Sequence, residues 1–136
     1  MRDRVFLDSN ILIYLYSQTE GDKRQIAYKV FDSYICITSF QALGEASNVW
    51  FRKSGFGGDR IREYLDNISK ICRRISVVDR NTINMALSLK DRYGYAYYDS
   101  LMLASALENK CNIIFTEDMH NGQVIDDVLT ITNPFG

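Results

Sequence analysis

The sequence predicts an α/β protein, a three-layer α/β/α sandwich around a central, mostly parallel sheet of four to five strands. Short apolar runs alternate along the chain with longer segments of helical periodicity, which implies parallel strands covered on both faces and joined by right-handed crossovers. The stretch from Asp99 to Lys110 is apolar nearly all round, as a helix buried between two layers would be. The length of 136 residues suits one domain over residues 1–136, long enough to bury a single core without staples.

Arg4 to Leu7 reads as a brief buried strand, and Ile11, Leu12 and Leu15 then recur at helical spacing in a short helix from Asn10 to Ser17. Gly21-Asp22 restarts the chain into a helix reaching Ser33, with Ile26, Val30 and Phe31 facing inward. Tyr34 to Thr38 is a second strand. Thr38 with Gln41 three residues on forms a capping-box pattern, opening a helix through Lys53. Ser54-Gly55 stops it, and Gly57-Gly58 precedes a helix from Asp59 to Ile71 with no strand between, so these two helices are expected to form a hairpin. Ile75 to Val78 is a third strand. Asp79 caps the next helix, which carries Ile83, Met85, Ala86 and Leu89 and ends at Gly94. Asn112 to Thr116 is a fourth strand, and Leu129 to Thr132 a fifth at the sheet edge.

Composition narrows the function classes without naming one. Hydrophobic residues are 46% and charged residues 24%, ordinary globular usage that argues against disorder or a fibre. The formal net charge is -1, which does not advertise a nucleic-acid binder, although a local basic patch can coexist with a balanced sum. Cys36, Cys72 and Cys111 form no C-x-x-C pair, so neither a disulfide framework nor a zinc site is indicated, and reduced thiols fit a cytoplasmic protein. No apolar run is long enough for a membrane span and no cleavable leader is seen.

Asp8 and Asp118 each follow a predicted strand, Asp99 opens the buried helix, and Glu45 lies within the helix begun at Thr38. Each has an ordinary role available. Asp8 and Asp99 could be helix N-caps, Glu45 could be solvated beside Gln41, Asn48 and Arg52, and Asp118 lies in a polar turn from Thr116 to Gly122. Together they carry more, because strand-end acids of a parallel sheet face one edge, where such folds bind ligands. Clustered carboxylates need raised pKa values or a cation between them. Oxygen donors of this kind select magnesium or manganese, and magnesium favours few protein ligands plus waters and phosphates, which points to phosphoryl chemistry.

Four blocks in order, Phe6 to Tyr14, Ser39 to Glu45, Tyr98 to Ala106 and Ile113 to Met119, make the sequence resemble the PIN domain family, small metal-dependent ribonucleases that include the VapC toxins of toxin–antitoxin pairs. The closing Asn133-Pro134-Phe135 resembles a subgroup with Ser-Glu-Asp before a glycine turn, written here Thr116-Glu117-Asp118. The resemblance implies that Asp8, Glu45, Asp99 and Asp118 are the catalytic, metal-binding acids for Mg2+ or Mn2+, with Asp8 and Asp99 as principal ligands. It implies supporting roles for Asn10 and Thr116, and leaves Glu117 to add charge or hold a second ion. Cleavage would leave a 5′-phosphate and a 3′-hydroxyl. His120, the single histidine, is a possible general acid that a metal mechanism does not require.

An RNA substrate needs positive charge. Arg52, Lys53, Arg60, Arg62 and the Arg73-Arg74 pair are candidates, though each also suits an exposed helix face or end. Tyr93, Tyr95, Tyr97 and Tyr98 could stack on bases or pack the approach to the buried helix. The resemblance further implies a small antitoxin whose helix enters an apolar groove, and a homodimer; Tyr14, Tyr16, Phe51 and Phe56 are candidate contacts for either. Three other readings compete: a non-toxin processing or decay nuclease, a catalytically silent RNA-binding or assembly module, and a phospho-acceptor receiver. The receiver would want an acidic pair near the first strand and a lysine after a later one, and neither is present.

Overall fold

Val5, Phe6 and Leu7 have no solvent exposure, and with Arg4 they form β1 (Arg4–Leu7), an interior strand of a six-stranded sheet. The structure is a computed structural model that describes residues 2–136. β1 pairs in parallel with β2 (Ile35–Ser39) on one side and β4 (Ile113–Phe115) on the other. β3 (Arg74–Ser76) lies parallel outside β2, and β6 (Leu129–Thr132) parallel outside β4. β5 (Val124–Ile125) closes the sheet antiparallel to β6, giving the order β3-β2-β1-β4-β6-β5.

The sheet is therefore wider than predicted, and Leu129–Thr132 is flanked on both sides instead of standing at the edge. The extra strand has only two residues, too few to show periodicity. Its turn is made by Asp126 and Asp127 at φ 51° and 60°, values tolerated by Asp and suited to a tight hairpin.

Among the described residues six helices complete the three layers: α1 (Ser9–Leu15), α2 (Gly21–Ser33), α3 (Phe40–Arg52), α4 (Gly58–Ile71), α5 (Arg80–Tyr93) and α6 (Tyr97–Glu108). Residues Ser100 to Ala106 of α6 are all buried, as a stretch apolar nearly all round predicts, and α6 packs against α5, β2 and β4. α1 packs against both α2 and α3. In α2 the inward face is Ala27, Val30 and Phe31, with Ile26 only partly covered. The α3–α4 hairpin is present, and Trp50, Phe56 and Tyr64 join it edge to face, with ring centroids 5.2 Å apart for Trp50–Tyr64 and 5.8 Å for Phe56–Tyr64.

The helix ends follow side-chain chemistry. Asp79 caps α5 in a reciprocal box with Thr82, and Gly94 ends it at φ 80°, a left-handed position where a side chain is strained. The predicted cap at Thr38 is displaced by one residue. β2 continues through Ser39, which pairs with Ser76, so Ser39 becomes the N-cap of α3 and its hydroxyl accepts from the Ala42 N–H at 3.1 Å. Thr38 instead donates to the Leu7 carbonyl at 2.8 Å, fastening β2 to the last residue of β1.

Candidate active site

The Asp8 N–H donates to the Phe115 carbonyl at 3.1 Å, which extends the β1–β4 ladder by one residue and fixes Asp8 beside the turn that follows β4. Asp8 caps α1, accepting at Oδ1 from the Ser9 N–H at 2.7 Å. The cap role read from sequence is real, and it leaves Oδ2 for a second contact. That oxygen accepts from the Thr116 hydroxyl at 2.8 Å.

Thr116 is a hub. Its oxygen also accepts from the Asp118 N–H at 3.2 Å and from Asn10 Nδ2 at 3.4 Å, while Asn10 Nδ2 donates to Asp118 Oδ2 at 3.0 Å. Residues more than a hundred positions apart in sequence thus form one network, and Asp8, Asn10, Thr116 and Asp118 meet across two neighbouring strand ends.

Glu45 and Asp99 approach from α3 and α6. Asp99 is not a cap: Ala96 occupies that position, and Asp99 sits in the first turn without a capping bond. Gln41 Nε2 donates to Glu45 Oε2 at 3.0 Å and to the Tyr98 carbonyl at 3.3 Å, so one side chain orients Glu45 and ties α3 to the start of α6.

Electrostatics links all four acids. Asp8 is 4% exposed, and burial pushes its carboxyl up to about 6, against the lowering effect of the Thr116 and Ser9 bonds; the charges of Glu45 and Asp118 raise it further. Asp99 is raised for the same reasons, burial first and then the charges of Asp118 and Glu45. Among the described residues no cation pairs with any of the four, since the salt bridges are Lys23–Glu117, Arg62–Asp59 and Arg92–Asp126. Nor do three of the described His, Cys, Asp or Glu residues stand close enough to chelate one ion.

These features fit a hard divalent ion. The donors are all oxygen, their negative charge is uncompensated, and Asn10 Oδ1 is buried without a hydrogen-bond partner. Carboxylates repel one another, so a spread set completed by water suits magnesium better than a closed cage.

Glu117 points away from this centre. It accepts from the Tyr14 hydroxyl at 2.6 Å and from Lys23 Nζ at 3.1 Å, and Lys23 also lies 4.6 Å from the Tyr14 ring centroid. No local pattern announces Lys23 and Tyr14, because they join Glu117 only through the fold. His120 is exposed, and its backbone N–H donates to the Tyr95 hydroxyl at 3.1 Å. Cys36, Cys72 and Cys111 are buried with thiols pushed up to about 12 by burial, which makes them inert. Of the basic candidates, Arg62 pairs with Asp59 at 2.9 Å and Arg60 lies 4.8 Å from the Phe56 ring centroid, whereas Arg52 and Lys53 are exposed at the end of α3. Phe56 is buried and Phe51 exposed.

A sequence model of the PIN domain matches residues 5–121. The chain belongs to the PIN domain family. No curated protein matches it. Among solved structures, this PIN domain is similar to a chain of a toxin–antitoxin complex from Klebsiella pneumoniae, with TM-score 0.70 and 16% identity over 96% of this chain and 97% of the other. The toxin VapC20 of Mycobacterium tuberculosis, described as cleaving the sarcin-ricin loop, gives TM-score 0.67 and 18% identity over 84% and 91%. FitAcB from Neisseria gonorrhoeae gives 0.64 and 15% over 96% and 98%. The three-layer fold is shared across the length of these chains, and among the described residues of this one no helix is long and apolar enough to cross a membrane.

Proposed function

We propose that this PIN domain is a magnesium- or manganese-dependent endoribonuclease and the toxin of a toxin–antitoxin pair. The observation that carries the reading is the Asp8–Thr116–Asn10–Asp118 network at the ends of β1 and β4, with the charges of Glu45 and Asp99 felt within it. Asp8, Asp99, Glu45 and Asp118 would hold the ion, with Asp8 and Asp99 as principal ligands. Such an ion neutralises phosphate charge and lowers the pKa of a water.

The chain's own residues set the geometry. Thr116 donates to Asp8 Oδ2 and the Ser9 N–H donates to Oδ1, locking the carboxylate plane. Asn10 fixes Asp118, and Gln41 fixes Glu45. A water oxygen attacks phosphorus as the bond to the 3′ oxygen breaks, giving a 5′-phosphate and a 3′-hydroxyl. No side-chain nucleophile is required, in keeping with the buried cysteines.

The toxin assignment is supported by the likeness to a toxin–antitoxin complex and to the toxin VapC20. A groove of about 750 Å3 between α1, α2 and α4, with Leu15, Tyr28 and Ile71 among its lining residues, suits the apolar face of a partner helix. The exposed Phe51 is available for a homodimer. The test is incubation of a mixed RNA pool with magnesium or manganese, followed by mapping of new 5′ ends. Asp8→Asn should lower cleavage at least ~100-fold; wild-type cleavage in that variant, or in excess chelator, would refute the mechanism.

A further inference from the structure

A second cavity, about 510 Å3 in volume, opens beside the acids between α1, the loop after it and the end of α3. Its size lies in the range of small-ligand sites. Four aromatic side chains line it, Tyr14, Tyr16, Trp50 and Phe56, and the wall they form is fixed from behind: Tyr16 stacks on Tyr64 with centroids 3.8 Å apart, and Trp50 and Phe56 meet the same ring edge to face. Asn10, which holds Asp118, also lines it. Glu20, Lys53 and Glu117 are the charged residues in its lining.

We propose that this cavity is a base-binding subsite that receives an unpaired guanine adjoining the scissile phosphate. The proposal rests on the nuclease reading above and names the part of the substrate it selects. Because Asn10 belongs to both the cavity wall and the acidic network, a group in the cavity while a phosphate lies at the acids is covalently close to that phosphate. Aromatic walls accept the face of any unpaired base, so selection falls to the polar groups. Glu117 accepts one hydrogen bond at each oxygen, from Tyr14 and from Lys23, and each oxygen of a carboxylate has a further lone pair. Two parallel acceptors match two adjacent N–H donors, which among the bases only the guanine edge supplies through N1 and N2. Lys53 stands ready for a flanking phosphate.

Trp50 is the only tryptophan, so its emission reports the cavity directly. In chelator, 5′-GMP is expected to titrate Trp50 fluorescence at least ~10-fold more tightly than 5′-AMP, 5′-CMP or 5′-UMP, as loss of a bidentate contact implies. Glu117→Gln should abolish that preference, and Glu117→Asp, which keeps the charge facing Lys23, should weaken it; circular dichroism establishes that both fold. Absence of any response to the four mononucleotides, or an equal response to all four, overturns the subsite, as does a preference retained in Glu117→Gln. Cleavage without a nucleotide response would refute the subsite alone, whereas a guanine-selective response without cleavage would refute the nuclease reading and leave the subsite standing.

Discussion

Asp8 carries a cost that the rest of the site explains. Its carboxyl titrates at about 6 instead of the ordinary 3.8 because it is buried. Between those two values the folded chain retains a proton that the unfolded chain has released, so stability falls as pH rises through that window and the loss is complete above the folded value. The ceiling is about 3 kcal/mol at neutral pH. In chelator, Asp8→Asn is therefore expected to melt several degrees above wild type at pH 7, with the difference disappearing below pH 4. Magnesium should raise the melting temperature of wild type and leave Asp8→Asn unmoved. A thermal-melt series across pH, with and without magnesium, checks both statements; a wild-type protein whose melting temperature is flat between pH 4 and 6 contradicts the burial argument.

At the scale of elements, capping governs what could be read beforehand. The helices announced themselves wherever a cap or stop was local: Asp8 before α1, Asp79 before α5 and Gly94 after it. The sequence places the start of α3 one residue early because Thr38 and Ser39 can both cap a helix and Gln41 completes a capping-box pattern with Thr38; strand pairing to Ser76, which no local pattern encodes, decides for Ser39. Ser39→Ala should cost about 1 kcal/mol in urea unfolding with an unchanged m-value, while Thr38→Ala removes a buried bond to Leu7 instead of a helix cap. The two-residue β5 was invisible for a related reason, since its strand character exists only in its pairing with β6. Glu117 was ambiguous for the same cause: its partners Lys23 and Tyr14 reach it through the fold, whereas Asp8, Asp99 and Asp118 stood at element boundaries that periodicity located.

For the whole molecule, a net charge of -1 conceals the separation of an acidic edge from exposed cations at the end of α3. If Arg52 and Lys53 each meet one phosphate, replacing both by alanine should reduce the slope of log affinity against log salt by about 1.4 for single-stranded RNA, with little change in melting temperature. Filter binding in chelator over a salt series measures this; an unchanged slope places the RNA elsewhere. The sheet order has a consequence in time. β1 is the earliest strand to be synthesised, yet it pairs with β4, and Asp8 meets Thr116 and Asp118 only after some 108 further residues. Long-range pairings of this kind form late in folding. During translation the first acid waits in an unfinished sheet, so a nascent chain still on its ribosome lacks the assembled centre until the segment after β4 has emerged. On the proposed reading, a nuclease arranged this way would spare the messenger RNA and ribosome producing it for most of its own synthesis.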